Sequence, residues 1–207
     1  ELDRPAEDLV MEEETVEAEP WAQNLGIQSW KSEAQKDLVF KSLQMQDGAT
    51  QLICLPTGGG KSLIFHLLAL SSGEGLTLVI VPTIALAFDQ LIGAENFYRR
   101  AKENSVAVHV YSHSSDGGYV RKNPGHFTNG KHLVFTSPEA CVTGAFKKVV
   151  EKAAHNNRLK NVVFDEAHLI ETWGVSFRPD FQLLGMWLKQ VRSDMSVRFR
   201  TLLLSAT

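Results

Sequence analysis

Two stretches of this chain combine residue types that could do chemistry together. The first is "LPTGGGKSL", Leu55 to Leu63, which follows a short apolar run and opens a helical one. Three glycines let the backbone curl until successive N–H groups point inward, and the positive end of the following helix completes an anion cradle. Thr57, Gly58, Gly59 and Gly60 would form the loop, Lys61 would reach the β and γ phosphates of a nucleotide, and the Ser62 hydroxyl would bind Mg²⁺. The general pattern for such loops has a glycine five residues before Gly60, where this chain has Leu55, yet loop, lysine and hydroxyl are all present. The second stretch is "NVVFDEAH", Asn161 to His168. Asp165 would emerge at a strand's carboxyl end, where a carboxylate holds Mg²⁺ through water, and Glu166 would polarise an attacking water. Alone, the acid pair reads as a solvated turn and His168 as a histidine satisfied at a helix start. Beside a phosphate loop, the three acquire a role.

Such residues need a scaffold that brings strand ends together. After the first 20 residues the chain repeats one grammar: a short β-branched apolar run, a turn, then a longer helical stretch. The runs fall at 51–56, 76–82, 106–111, 132–138, 161–166 and 200–207, with helices expected at about 31–46, 61–72, 84–102, 139–155 and 180–192. The runs are too short and too continuously apolar for half-exposed strands, so both of their faces are expected to be covered. Alternating elements imply an α/β fold: a mainly parallel sheet flanked by helices on both faces, with functional groups at the carboxyl ends of the strands. Residues 112 to 131, rich in Gly, Ser, Asn and Pro, read as a surface loop.

Composition narrows the class. The net charge of -3 is uneven, because residues 1–20 hold nine acids and one Arg. They are expected to form an acidic, disordered tail, leaving a mildly basic body at 21–207 that permits a nucleic-acid partner. Cys54 and Cys141 have no close partner in sequence, which fits a reducing compartment and neither a disulfide framework nor a zinc site. No apolar run approaches the roughly 18 to 20 residues of a membrane span, so a cytoplasmic protein without a membrane partner is expected.

Five stretches in order, "PTGGGKS", "VPTIALAFDQ", "FTSPEA", "FDEAH" and "LLSAT", resemble motifs I to III of superfamily 2 DExH/DEAH-box helicases. The resemblance implies the first RecA-like motor lobe, a P-loop NTPase domain that uses ATP and Mg²⁺ and moves on single-stranded or partly duplex DNA. It implies catalytic roles for Lys61, Asp165, Glu166 and His168, with Ser205 and Thr207 of the last motif in coupling. Pro82, Thr83, Gln90, Thr136 and Pro138 would lie near the DNA backbone. Their structural reading is a strand end and a cap, with Ser137 capping a helix that has Pro138 at its first position. "WKSEAQ" resembles the adenine-recognising motif of RecQ helicases, with Gln35 reading the base edge and Trp30 or Lys31 flanking the ring.

"ETWGVSFRPDF", Glu171 to Phe181, decides the branch. By itself it reads as a turn and a helix start with Trp173, Phe177 and Phe181 buried. After "DEAH" it resembles the aromatic-rich loop of RecQ DNA helicases, implying that Trp173, Phe177 and Arg178 sense single-stranded DNA. Among RecQ-like proteins, the variants here resemble helicases of bacterial DNA-modification and phage-defence systems. A complete motor of this kind needs a second RecA-like lobe supplying an arginine finger. Two other readings stand beside this one: an RNA helicase of DEAH/DEAD type, and a non-catalytic nucleotide-binding interaction module.

Overall fold

The central strands Gly75–Ile80, Lys131–Thr136 and Leu159–Phe164 are buried nearly throughout, as their apolar runs predict, whereas the edge strand Thr50–Cys54 is not covered on both faces, since Leu52 is 62% exposed. The computed structural model describes residues 15–112, 127, 129–142, 144–168, 179–195 and 197–206. The chain enters through a small cap in which β1 (Val16–Glu17) pairs antiparallel with β2 (Ser29–Trp30) around α1 (Pro20–Asn24). Pro20 at the start of α1 suits the helix's first position, where no N–H is needed. Then come α2 (Glu33–Leu43), β3 (Thr50–Cys54), α3 (Lys61–Ser71), β4 (Gly75–Ile80), α4 (Ile84–Arg100), β5 (Val106–Tyr111) and β6 (Lys131–Thr136). After them follow α5 (Pro138–Val142), α6 (Gly144–His155), β7 (Leu159–Phe164), α7 (Pro179–Met195) and β8 (Arg200–Ser205).

The six longer strands form one wholly parallel sheet in the order β3-β8-β7-β4-β6-β5. Successive strands β3 and β4 are separated by β7 and β8, which the chain inserts later. That reversal of direction sets the ends of β3, β4, β7 and β8 around one crevice, the place where open α/β sheets bind ligands. Two apolar layers flank the sheet. One includes Phe65, Phe97 and Phe135; the other includes Phe146, Trp187 and Phe199, with Tyr111 stacked on Phe146 at a centroid distance of 4.1 Å.

Three further expectations need correction. The folded body begins before residue 20, since Ala18 is buried, its N–H donates to the Gln28 carbonyl, and Glu19 pairs with Lys36 at 2.9 Å. The single helix expected at 139–155 is two, because Gly144 has φ +69°, a left-handed conformation that an α-helix cannot pass through. Trp30 flanks no open site: it is fully buried, edge-on to Phe40, and its indole N–H donates to Glu19 at 2.9 Å. The aromatic that looked like a base platform anchors the cap instead.

Candidate nucleotide-binding site

The loop from Pro56 to Gly60 turns on itself, with the Gly59 N–H donating to the Pro56 carbonyl at 2.9 Å. Gly60 immediately precedes α3 with φ +80°, and a Cβ there would lie 2.0 Å from the Gln35 amide nitrogen. Glycine is required at that position both by conformation and by space. Lys61, the first residue of α3, is 9% exposed and donates to the Leu55 carbonyl at 3.1 Å. Its ammonium lies 3.9 Å from Glu166 across the crevice.

Glu166 follows β7 and has φ +53°, which costs about 1–2 kcal/mol for a residue with a Cβ. Such strain is held only where the surroundings dictate it. Here the Ala167 N–H donates to the Leu204 carbonyl of β8 at 2.7 Å, and the Asp165 N–H donates to the Ile80 carbonyl of β4 at 2.9 Å. Neighbouring strands thus hold the turn from both sides. His168 Nδ1 sits 3.5 Å from the Glu166 carboxylate and 3.3 Å from the Ser205 hydroxyl, so the end of β8 is joined to the acid pair through one imidazole.

Asp165 is buried, and its Oδ1 accepts from the Glu166 N–H at 3.1 Å while Oδ2 accepts from the Gln90 amide at 3.3 Å. Burial, and then the adjacent Glu166 charge, push the Asp165 carboxyl up to about 6, although the Glu166 N–H and Lys61 act in the opposite direction. A folded-state value above the ordinary 3.8 means that the native state holds the proton longer, so stability falls as pH rises from about 4 to about 6. The full cost above that window is about 3 kcal/mol. Asp165→Asn should therefore raise the melting temperature of metal-free protein at pH 7.5 and lose this part of the pH dependence. Melts at pH 5 and 7.5 in chelator check this, and unchanged profiles would show that Asp165 does not carry it.

The crevice between loop and acids has a volume of about 310 Å³ and is lined by Thr57, Gly58, Gly60, Lys61, Ser62 and Asp165, among others. A second cleft, of about 360 Å³, adjoins it and is lined by Gly26, Ile27, Gln28, Lys31, Phe97 and Arg100, among others. Gln35 stands between them. It is 2% exposed, accepts from the Lys31 N–H at 2.8 Å and donates to the Gly60 carbonyl at 3.3 Å. Lys31 itself reaches the Gly58 carbonyl at 2.6 Å, a contact its neighbours in sequence do not signal.

The residues expected along a strand track divide differently. Thr83 caps α4 by accepting from the Leu86 N–H at 3.3 Å, and Pro82 is buried. Thr136 is fully buried with its hydroxyl given to the Tyr111 carbonyl at 3.1 Å, and Pro138 is buried at the first position of α5. Both side chains are buried, which fits the strand-end and helix-start reading of this segment. Gln90 lies in the crevice with the acids. Trp173, Phe177, Arg178 and Thr207 lie outside the described residues.

A parallel sheet with this reversal, a glycine loop and lysine after its edge strand, and paired acids after a central strand define a RecA-like P-loop nucleotide-binding lobe. The chain belongs to the DEAD/DEAH box helicase family, which it matches over residues 32–207. It is similar to the ATP-dependent DNA helicase Q1 of Rattus norvegicus, 35% identical over 161 residues covering 73% of this chain and 25% of that protein. The ATP-dependent DNA helicase RecQ of Synechocystis is 35% identical over 134 residues, covering 65% of this chain and 26% of that one. The chain thus spans about a quarter of the length of these relatives. Among solved structures, the DUF1998 helicase MrfA bound to DNA and AMPPNP has a TM-score of 0.70 over 95% of this chain and 28% of its own. At 18% identity that likeness is one of fold.

Proposed function

We propose that this chain is the ATP-binding motor lobe of a RecQ-like, ATP-dependent DNA helicase or translocase. The observation that carries the proposal is the crevice itself, where Lys61 of the loop faces Glu166 at 3.9 Å beside Asp165 and Ser62. A nucleotide's phosphates would enter between loop and acids, drawing Lys61 from the Leu55 carbonyl onto β and γ oxygens. The base would occupy the adjoining cleft beside Gln35, with Lys31 at the boundary of both. One hydroxyl and one carboxylate with room for water suit Mg²⁺, which keeps several waters and takes few protein ligands. Ser62 and Asp165 would hold it, and the ion would neutralise charge on the phosphates. Glu166, already aimed into the crevice by its strained backbone, would orient the attacking water. His168 would relay the state of the acids to Ser205.

DNA as the partner rests on the names of the relatives at 32–35% identity and on the resemblance of residues 171–181 to a DNA-sensing loop. We further assign the missing arginine and half of the strand track to a second RecA-like lobe elsewhere in the protein. We further propose placement in the cytoplasm, nucleoid-associated in a bacterium, on the cysteine usage that fits a reducing compartment. No helix among the described residues is long and apolar enough to cross a membrane. The test is ATP turnover by the full protein with single-stranded DNA, with RNA, and with neither. Stimulation by DNA is expected, and stimulation by RNA alone would place the protein in the other branch.

A further inference from the structure

Gln90 belongs by sequence to the stretch expected along DNA, yet its side chain lies at the metal-holding acid. Gln90 lies seven positions, or two helical turns, after Thr83, so both fall on one side of α4 about 10 Å apart along its axis. Thr83, the cap, stands where the chain leaves β4 at the expected strand track. Gln90, half-buried, stands in the crevice. Ala87 and Ala94, both fully buried, pack α4 onto the sheet between and beyond them. A helix so held moves as one piece, and movement at its N-terminus reaches the Gln90 amide.

Among the described residues, that amide meets a carboxylate whose two oxygens are held by different elements. Oδ1 of Asp165 takes a backbone N–H from its own turn, whereas Oδ2 takes the Gln90 side chain from another element. The ammonium of Lys61 goes instead to the Leu55 carbonyl and Glu166. We propose that Gln90 is a positioning residue that ties the strand-facing end of α4 to Asp165, so that DNA bound at α4 and a metal–nucleotide complex held at Asp165 favour one another. The proposal rests on the function assigned above. Coupling of this kind is reciprocal and commonly amounts to 5- to 150-fold in affinity.

The experiment measures binding of a fluorescent ATP analogue to the full protein, with and without Mg²⁺ and with and without single-stranded DNA. The wild type, Gln90→Ala and Gln90→Met are compared, the last keeping length and helix propensity while removing only the amide. DNA should tighten Mg²⁺–nucleotide binding by the wild type about fivefold or more. Both variants should reduce that gain to less than about twofold while melting near the wild type's temperature, and any loss of nucleotide affinity should be larger with Mg²⁺ than without, since the contact to Asp165 is lost. Full DNA coupling in either folded variant overturns the role of Gln90 and leaves the motor assignment standing. Equal weakening with and without Mg²⁺ also overturns it, because that is the signature of a general packing role. A wild type whose nucleotide binding ignores DNA overturns the motor assignment and the inference with it.

Discussion

Lys61→Ala should abolish measurable binding of Mg²⁺–ATP. The lysine is the cation that the loop itself directs into the phosphate crevice, and it is nearly buried, so the charge it offers is poorly screened. Its present partners are a backbone carbonyl and a carboxylate 3.9 Å away, which on the proposed reading it would exchange for phosphate oxygens. Charge-assisted bonds contribute about 1.5–3 kcal/mol each, and loss of two corresponds to a hundredfold or more in affinity. The loop glycines and helix N-terminus would remain, so the fold should be unchanged while affinity falls below what calorimetry detects. Calorimetry on wild type and variant decides it, together with a melt. Equal affinities would show that the crevice at Lys61 is not the phosphate site.

Trp173→Ala and Arg178→Ala should leave nucleotide affinity nearly unchanged and remove most of the stimulation of ATP turnover by DNA. Both residues lie within 13 positions of Asp165. If this segment engages DNA, a change so close in sequence to Asp165 would be expected to alter the turn that holds Glu166 in its left-handed conformation. Aromatic faces stack on unpaired bases, and truncation costs about 1–3 kcal/mol per stacked base, while a guanidinium meets a phosphate. The effect is therefore expected on coupling. Turnover measured against DNA concentration, beside a melt of each variant, separates the possibilities. A variant that melts much earlier was a core residue, and one that keeps full stimulation shows the segment to be scaffolding.

What the sequence discloses here follows from how local each feature is. The sheet strands are legible because strands of a parallel sheet are mostly apolar, as β4 is, buried at every position from Gly75 to Ile80 with Thr77 its one polar side chain. The phosphate loop is legible because glycines, lysine and hydroxyl are contiguous, and Asp165 because strand ends in such sheets carry the chemistry. The pairing of Val16 with Trp30 is not legible, since two-residue strands leave no periodicity to read. Trp30 had the right type and neighbourhood for a base platform, and its burial against Trp21 and Phe40 is decided by tertiary packing. Gly144 stands inside an apolar pattern that spells one helix, and only its backbone conformation reveals the break. For Gln90 a signal existed: seven residues after a helix cap returns to the same side of the helix. Its direction toward Asp165 depended on the strand order, which places β7 beside β4. Nothing in residue types announces the left-handed conformation of Glu166.

A nucleotide held between Lys61, Asp165 and Glu166 should be hydrolysed in response to DNA. This is tested most directly by the rate of ATP hydrolysis of the full protein as single-stranded DNA is titrated in, with RNA of the same sequence titrated in parallel. Expected are low turnover without nucleic acid, a saturable rise with DNA, little response to RNA, and no rise in Glu166→Gln at saturating nucleotide. Turnover indifferent to DNA, or retained in full by Glu166→Gln, would contradict this.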